Sequence, residues 1–250
     1  GVSYVAYFWK ANGGTTSSNT SGSITSTVQA NDDAGFSIVK YTGAVTGSNK
    51  TFGHGLSSAP EMVIIKDIDW GVPSWFVWHK DLTGDDYYLR LESTNAEAQL
   101  STIFNSAPTA TLVNIGNDSG VGDRTDDYIA YCFHSVDGFS KFGSYTGNAD
   151  ANGPIVETGF EPAFLMIKRT SATDNWVMID NKRSTTNPRN KFVWANKSDA
   201  ESTFAGTREV NFYSNGFQPV SDGSDDINDN NASYIYMAFA ADPDTEAPTL

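Results

Sequence analysis

The chain has a single cysteine, sixteen basic residues and only eight glutamates among its 250 residues. Each shortage excludes something. One cysteine rules out an internal disulfide. Cys132 stands in the run Tyr-Ile-Ala-Tyr-Cys-Phe with no basic neighbour to lower its pKa, so it reads as a small buried hydrophobe. With sixteen basic against thirty acidic side chains, the formal charge is −14 and the pI about 4.4. Such a chain repels phosphate backbones and anionic membrane surfaces unless its cations are concentrated. No Lys/Arg run exceeds the pairs Lys168-Arg169 and Lys182-Arg183, which argues against nucleic acid as a partner. No apolar stretch approaches the ~20 residues that a membrane helix needs, so no membrane insertion is expected. Gly1-Val2 opens in mid-pattern without signal-peptide character, and the expectation is a slice of a longer chain. The lack of glutamate, eight against 22 Asp, removes good helix formers.

What the chain has instead is 26 Ser, 24 Thr, 22 Gly and 20 Asn, more than a third of all residues. These favour turns, caps and strands over helix interiors. Aromatic residues reach 13%, and aromatics fit strands. The composition predicts an all-β protein.

Self-comparison shows a repeat. Gly35-Phe36-Ser37 leading to Tyr41-Thr42-Gly43 returns as Gly138-Phe139-Ser140 leading to Tyr145-Thr146-Gly147. Met62-Val63-Ile64-Ile65-Lys66 is answered by Phe164-Leu165-Met166-Ile167-Lys168, Trp75 by Trp176, and Tyr128 to Phe133 by Tyr234 to Phe239. The matches run in order at a nearly constant offset, which predicts two tandem β-sandwich units (jelly-roll or lectin-like) of about 100 residues each. Their boundaries are read as 35–137 and 138–244. Tyr4-Val5-Ala6-Tyr7-Phe8-Trp9 matches the last element of both units. Residues 1–10 therefore read as the closing strand of a preceding unit, or as a strand lent to the first one. Residues 11–34 read as a Gly/Ser/Thr-rich linker to about Gly22 followed by an edge strand, and 245–250 as a linker to a following domain. The apolar runs fit strands buried on both faces or at the centre of a sandwich. Two short capped turns, 93–100 and 198–204, are the only helical candidates.

The string Tyr128 to Gly147, with Gly159-Phe160-Glu161-Pro162-Ala163-Phe164-Leu165-Met166-Ile167-Lys168-Arg169 and Asn215-Gly216-Phe217, resembles a module found in virion proteins of marine bacteriophages. The resemblance spans Tyr4 to Asp242. It implies a structural and adhesive segment of a tail fibre or other virion surface protein, located on the virion surface or outside the cell. It also implies a homo-oligomer, a trimer being common in fibres, or contacts with other virion proteins. It brings no catalytic or binding residues with it.

Chemistry is sparse. There is no G-x-S-x-G turn, no His pair at zinc spacing, and His54, His79 and His134 are not repeated in the second unit. Each histidine reads as a surface or loop-anchoring residue, and no enzymatic activity is expected. Sugar binding is the better functional reading, because sugar rings stack on exposed aromatics while Asp and Asn hydrogen-bond around them. Trp75 and Trp176 are shared and read as core. Trp70 and Trp194 lack aromatic counterparts, and they are the candidate glycan platforms or subunit contacts. Trp194 aligns with Arg90, which the alternation of Tyr87-Tyr88-Leu89-Arg90-Leu91 places on the solvent face. No cofactor is expected apart from calcium. Asp226, Asn228 and Asn230, at alternating positions of an Asp/Asn-rich loop, are its candidate ligands, against the reading of a solvated turn. The alternative function is a tandem of carbohydrate-binding modules in a secreted bacterial protein, with a host-surface glycan as the ligand class in either case.

Overall fold

The computed structural model describes residues 4–11, 13–45, 47, 49–69, 71, 74–221 and 226–241. Among them there is no helix, and every strand pairing between named strands is antiparallel. The first half forms an eight-stranded sheet from β1 (Ser17–Asn19), β2 (Ser26–Asn31), β3 (Phe36–Thr42), β5 (Met62–Asp67), β6 (Trp75–His79), β7 (Tyr87–Arg90), β8 (Ala98–Gln99) and β10 (Asp127–Phe133). Their order is β1-β2-β3-β10-β5-β6-β7-β8. A separate pair, β4 (Lys50–Gly53) with β9 (Leu112–Ile115), covers one face. The second half forms a six-stranded sheet from β11 (Ser140–Thr146), β13 (Pro162–Arg169), β14 (Trp176–Asp180), β15 (Lys191–Trp194), β16 (Ser202–Thr203) and β19 (Ser233–Ala240). Its order, β11-β19-β13-β14-β15-β16, repeats that of β3-β10-β5-β6-β7-β8. A three-stranded layer of β12 (Val156–Glu157), β17 (Arg208–Tyr213) and β18 (Gly216–Ser221) covers its outer face.

The alternation of side chains along a strand decides how these layers stack. In β5, Val63 and Ile65 enter a core shared with Phe52, Val113 and Ile115 of the β4/β9 pair. In β13, Leu165 and Ile167 enter the corresponding core with Val210, Phe212 and Phe217. The residues between them point the other way. Met62 and Ile64, together with Val77, Leu89 and Phe133, meet Phe142, Phe164, Met166, Trp176, Ile235, Met237 and Phe239 in a third core between the two large sheets. The result is four β layers around three apolar cores, with the two large sheets back to back. A strand buried on both faces carries no polar alternation, which is why Met62-Val63-Ile64-Ile65 and Phe164-Leu165-Met166-Ile167 are continuous hydrophobic runs.

Four expectations need correction. Residues 4–11 form no strand; the segment lies along the rim of the third core, with Ala11 buried and Tyr7 packed against it. The polar stretch after it holds a strand of its own, β1, which pairs with the predicted strand, β2, and takes the sheet edge in its place. The two capped turns are the short edge strands β8 and β16. The histidines are all buried. His54 Nε2 lies 3.1 Å from the Thr109 carbonyl, and its Nδ1 accepts from the Leu56 N–H at 3.2 Å, so it does anchor loops, but from inside. Burial lowers the pKa of His54, and takes that of His79 down to about 4. Cys132 is fully buried in the first core, and burial pushes its thiol up to about 12.

Candidate functional site

Of the two tryptophans singled out by the repeat, Trp70 lies outside the described residues. Trp194 is 8% exposed and belongs to the second core. It is no exposed platform. Its register explains the correction: Val177 pairs with Trp194 in the second sheet as Phe76 pairs with Arg90 in the first. Both positions face the sandwich core, where Arg90 stacks its guanidinium over Phe76 at 5.5 Å. In a sheet covered on both sides a charged residue does not mark the solvent face.

The indole leads to one of the calcium candidates. Trp194 Nε1 donates to Asp226 Oδ2 at 3.4 Å. The same oxygen accepts from Asn175 Nδ2 at 3.2 Å and pairs with Arg208 Nη1 at 3.4 Å. Asn175 and Asp174 sit on the β13–β14 turn, and Asp226 in the loop before β19, so the cluster ties two loops to the end of β15. Burial, and then the hydrogen bond to Asp226, push Asp174 up to about 7. Burial also raises Asp226, but the Asp174 hydrogen bond and the Arg208 charge outweigh it and hold this carboxylate below its usual range. The pair thus shares one proton, with Asp226 as the charged member. Beside it, burial lowers Lys168 to about 8, and its ammonium donates to the carbonyls of Thr94 and Arg169 at 3.3 and 2.6 Å. Lys197 stands 4.9 Å above the Trp194 ring. These groups are engaged with one another. They make a polar pin between loops, and Thr94 connects it to the first half of the chain.

The three proposed calcium ligands go separate ways. Asp226 faces the pin. Asn228 is fully buried, and its amide donates to Asn148 Oδ1, the Asp150 carbonyl and the Ser221 carbonyl at 3.1, 2.9 and 2.9 Å. Its Oδ1 accepts from the Asn148 N–H at 3.0 Å. Asn230 is exposed. The side chains that would have to converge on a cation are committed to different partners, and no group of three or more His, Cys, Asp or Glu at metal spacing occurs among the described residues.

An aromatic platform does exist, at a residue that sequence reasoning missed. Tyr213, the last residue of β17, is 41% exposed on the outer face of the three-stranded layer. Its hydroxyl accepts from Asn211 Nδ2 at 3.1 Å and donates to Gln218 Oε1 at 2.8 Å. Those two bonds tether the ring's hydroxyl to the cross-strand pair Asn211–Gln218. Its cross-strand partner is Gly216, which has no side chain to cover the ring. Glycine is required there for a second reason: a Cβ would collide with the Val156 carbonyl oxygen. A flat ring flanked by two amides is the arrangement that stacks on a sugar C–H face and hydrogen-bonds its hydroxyls. The signal available beforehand was Tyr213 beside Asn211 in the Asn-Phe-Tyr-Ser-Asn-Gly hairpin, where alternation puts Phe212 inward and both neighbours outward.

A family model described as a domain of unknown function (DUF7483) matches residues 1–243. No curated protein and no solved structure matches the chain.

Proposed function

We propose, for a chain that belongs to the DUF7483 family, a structural and adhesive role: a segment of a bacteriophage tail fibre or other virion surface protein that touches host-surface glycans. The observation that carries this reading is the stacking of four β layers around three cores. Burying both faces of both large sheets suits a stiff projecting segment. The buried polar groups support it as well, because the Asp174–Asp226–Trp194 cluster uses its hydrogen bonds within the protein. Tyr213, Asn211 and Gln218 supply the glycan contact. The test is immunogold labelling of virus particles whose genome encodes the chain. Label on the particle surface is the expected result; intact particles without label overturn the proposal.

Tyr213 also favours a second reading, a carbohydrate-binding region of a secreted bacterial protein, since one ring platform serves either. The label then appears in bacterial culture supernatant and on no particle.

A further inference from the structure

The N-terminal segment matches in sequence two strands that are central in their sheets: β10 between β3 and β5, and β19 between β11 and β13. Position by position, Tyr4 corresponds to Tyr128 and Tyr234, Ala6 to Ala130 and Tyr236, and Phe8 to Cys132 and Ala238. Those six counterparts are buried in the first and second cores. Tyr4 and Phe8 are 89% and 90% exposed. The other face of the segment is occupied: the Tyr7 ring meets Phe164 at 4.7 Å, and Trp9 meets Phe133, Phe164 and Phe239 at 6.3, 5.8 and 5.6 Å. Tyr7 is fixed further by donating to Asp180 Oδ2 at 2.8 Å and accepting from Arg183 at 3.1 Å. Tyr7 and Ala11 point in, Trp9 packs against the core while staying 36% exposed, and 4, 6, 8 and 10 point out, so the segment has strand-like alternation without a sheet. The one hydrogen bond to its backbone found among the described residues comes from Asn31 Nδ2 to the Lys10 carbonyl, at 3.2 Å.

We propose that residues Tyr4 to Trp9 form a self-association surface, on which a second copy of this chain places the same segment as an antiparallel strand. Three observations select a second copy. Tyr4 to Trp9 is uncharged in a chain of net charge −14, so two copies meet there without juxtaposing like charges. The segment is self-complementary: with Ala6 opposite Ala6, Tyr4 lies opposite Phe8 on the outer face, and Val5, itself 43% exposed, opposite Tyr7 on the other, a two-fold symmetric pairing. Its backbone presents open donors and acceptors beside exposed aromatic side chains, the template onto which strands add. Because Tyr7 and Trp9 are already packed, little ordering is required on association. Two tyrosine and two phenylalanine rings bury on the order of 600–1,000 Å², below the ~1,200 Å² of a stable interface, so the dimer is concentration-dependent. This inference goes beyond the virion reading and does not rest on it.

The experiment is sedimentation velocity of the 250-residue chain over a hundredfold concentration range, beside the double variant Tyr4→Ser/Phe8→Ser. Wild type is expected to shift from monomer to dimer, and the double variant to stay monomeric with unchanged near-ultraviolet circular dichroism. An Ala6→Cys variant treated with a short bis-maleimide is expected to give a covalent dimer, since the native Cys132 is buried and unreactive. Monomer at every concentration with no cross-link overturns the proposal, and so does a double variant that dimerises like wild type. Neither result bears on whether the chain is found on virus particles, so the two readings fail separately.

Discussion

At the scale of single residues, the buried groups carry the clearest consequences. Asp174 has its folded pKa raised to about 7 from an ordinary 3.8. Such a group contributes stability that is complete below pH 3.8 and is lost as pH rises through about 7. His79, lowered to about 4 from 6.5, acts in the opposite sense over nearly the same range: its contribution is present above pH 6.5 and lost as pH falls toward 4, so the two offset each other below pH 6.5. The urea midpoint of the wild type is therefore expected to fall between pH 6.5 and 8, and Asp174→Asn to flatten that fall. Trp194 gives a second prediction. As a core residue it is expected to cost about 3–5 kcal/mol when cut to alanine, measured by urea unfolding, whereas an exposed platform loses almost nothing. Tyr213→Ala supplies the contrast. It is expected to shift the melting temperature by no more than a degree or two while abolishing retention on a glycan array. The sequence distinguished Trp75 and Trp176 from Trp194 by asking which aromatics recur, and that test misplaced Trp194. Its ring holds a position that the first half gives to Arg90, whose guanidinium lies over Phe76, so an unmatched aromatic is a different solution to the same packing problem.

At the scale of elements, the strands were largely legible and their partners were not. The runs Met62 to Ile65 and Phe164 to Ile167 announced burial on both faces, but nothing in them said that the second face belongs to the other half of the chain. Strand β2 is legible from its alternation, whereas β1 hides in the linker composition, because Ser, Thr and Asn look alike in a turn and on an edge strand exposed on one side. The turns at 93–100 and 198–204 were given helical character by Ser and Asn ahead of Ala-Glu. There the Glu97 carboxylate instead caps Thr83, accepting from its N–H at 2.9 Å and from its hydroxyl at 2.7 Å. The β12–β18 pairing has a sharp dependence on one residue. Gly216→Ala places a methyl group against the Val156 carbonyl oxygen, and is expected to cost about 1–3 kcal/mol. Because β12 is only two residues long, hydrogen–deuterium exchange should show the Val156 amide losing protection ahead of its neighbours.

At the scale of the whole molecule, the third core decides cooperativity. Its side chains come from both halves in comparable number, and backbone bonds reinforce the seam: Glu97 N–H donates to the Thr170 carbonyl at 3.0 Å, and Asp174 N–H to the Thr94 carbonyl at 2.7 Å. Trp176 Nε1 donates across it to the Arg90 carbonyl at 2.9 Å. Calorimetry is therefore expected to show one transition for all 250 residues. Met62→Ala in the first half should lower exchange protection of β19 in the second; two separate transitions would mean that the halves are independent.

The same seam sets a condition on synthesis. A ribosome that has delivered only the first half has delivered a sheet with one wall missing, for Met62, Ile64, Val77 and Phe133 lack the wall of Phe164, Met166, Trp176, Ile235, Met237 and Phe239 until those residues emerge. The partly made protein is stickier than the finished one. Any truncation between the halves is expected to accumulate as insoluble material, so that production of this chain is all or nothing.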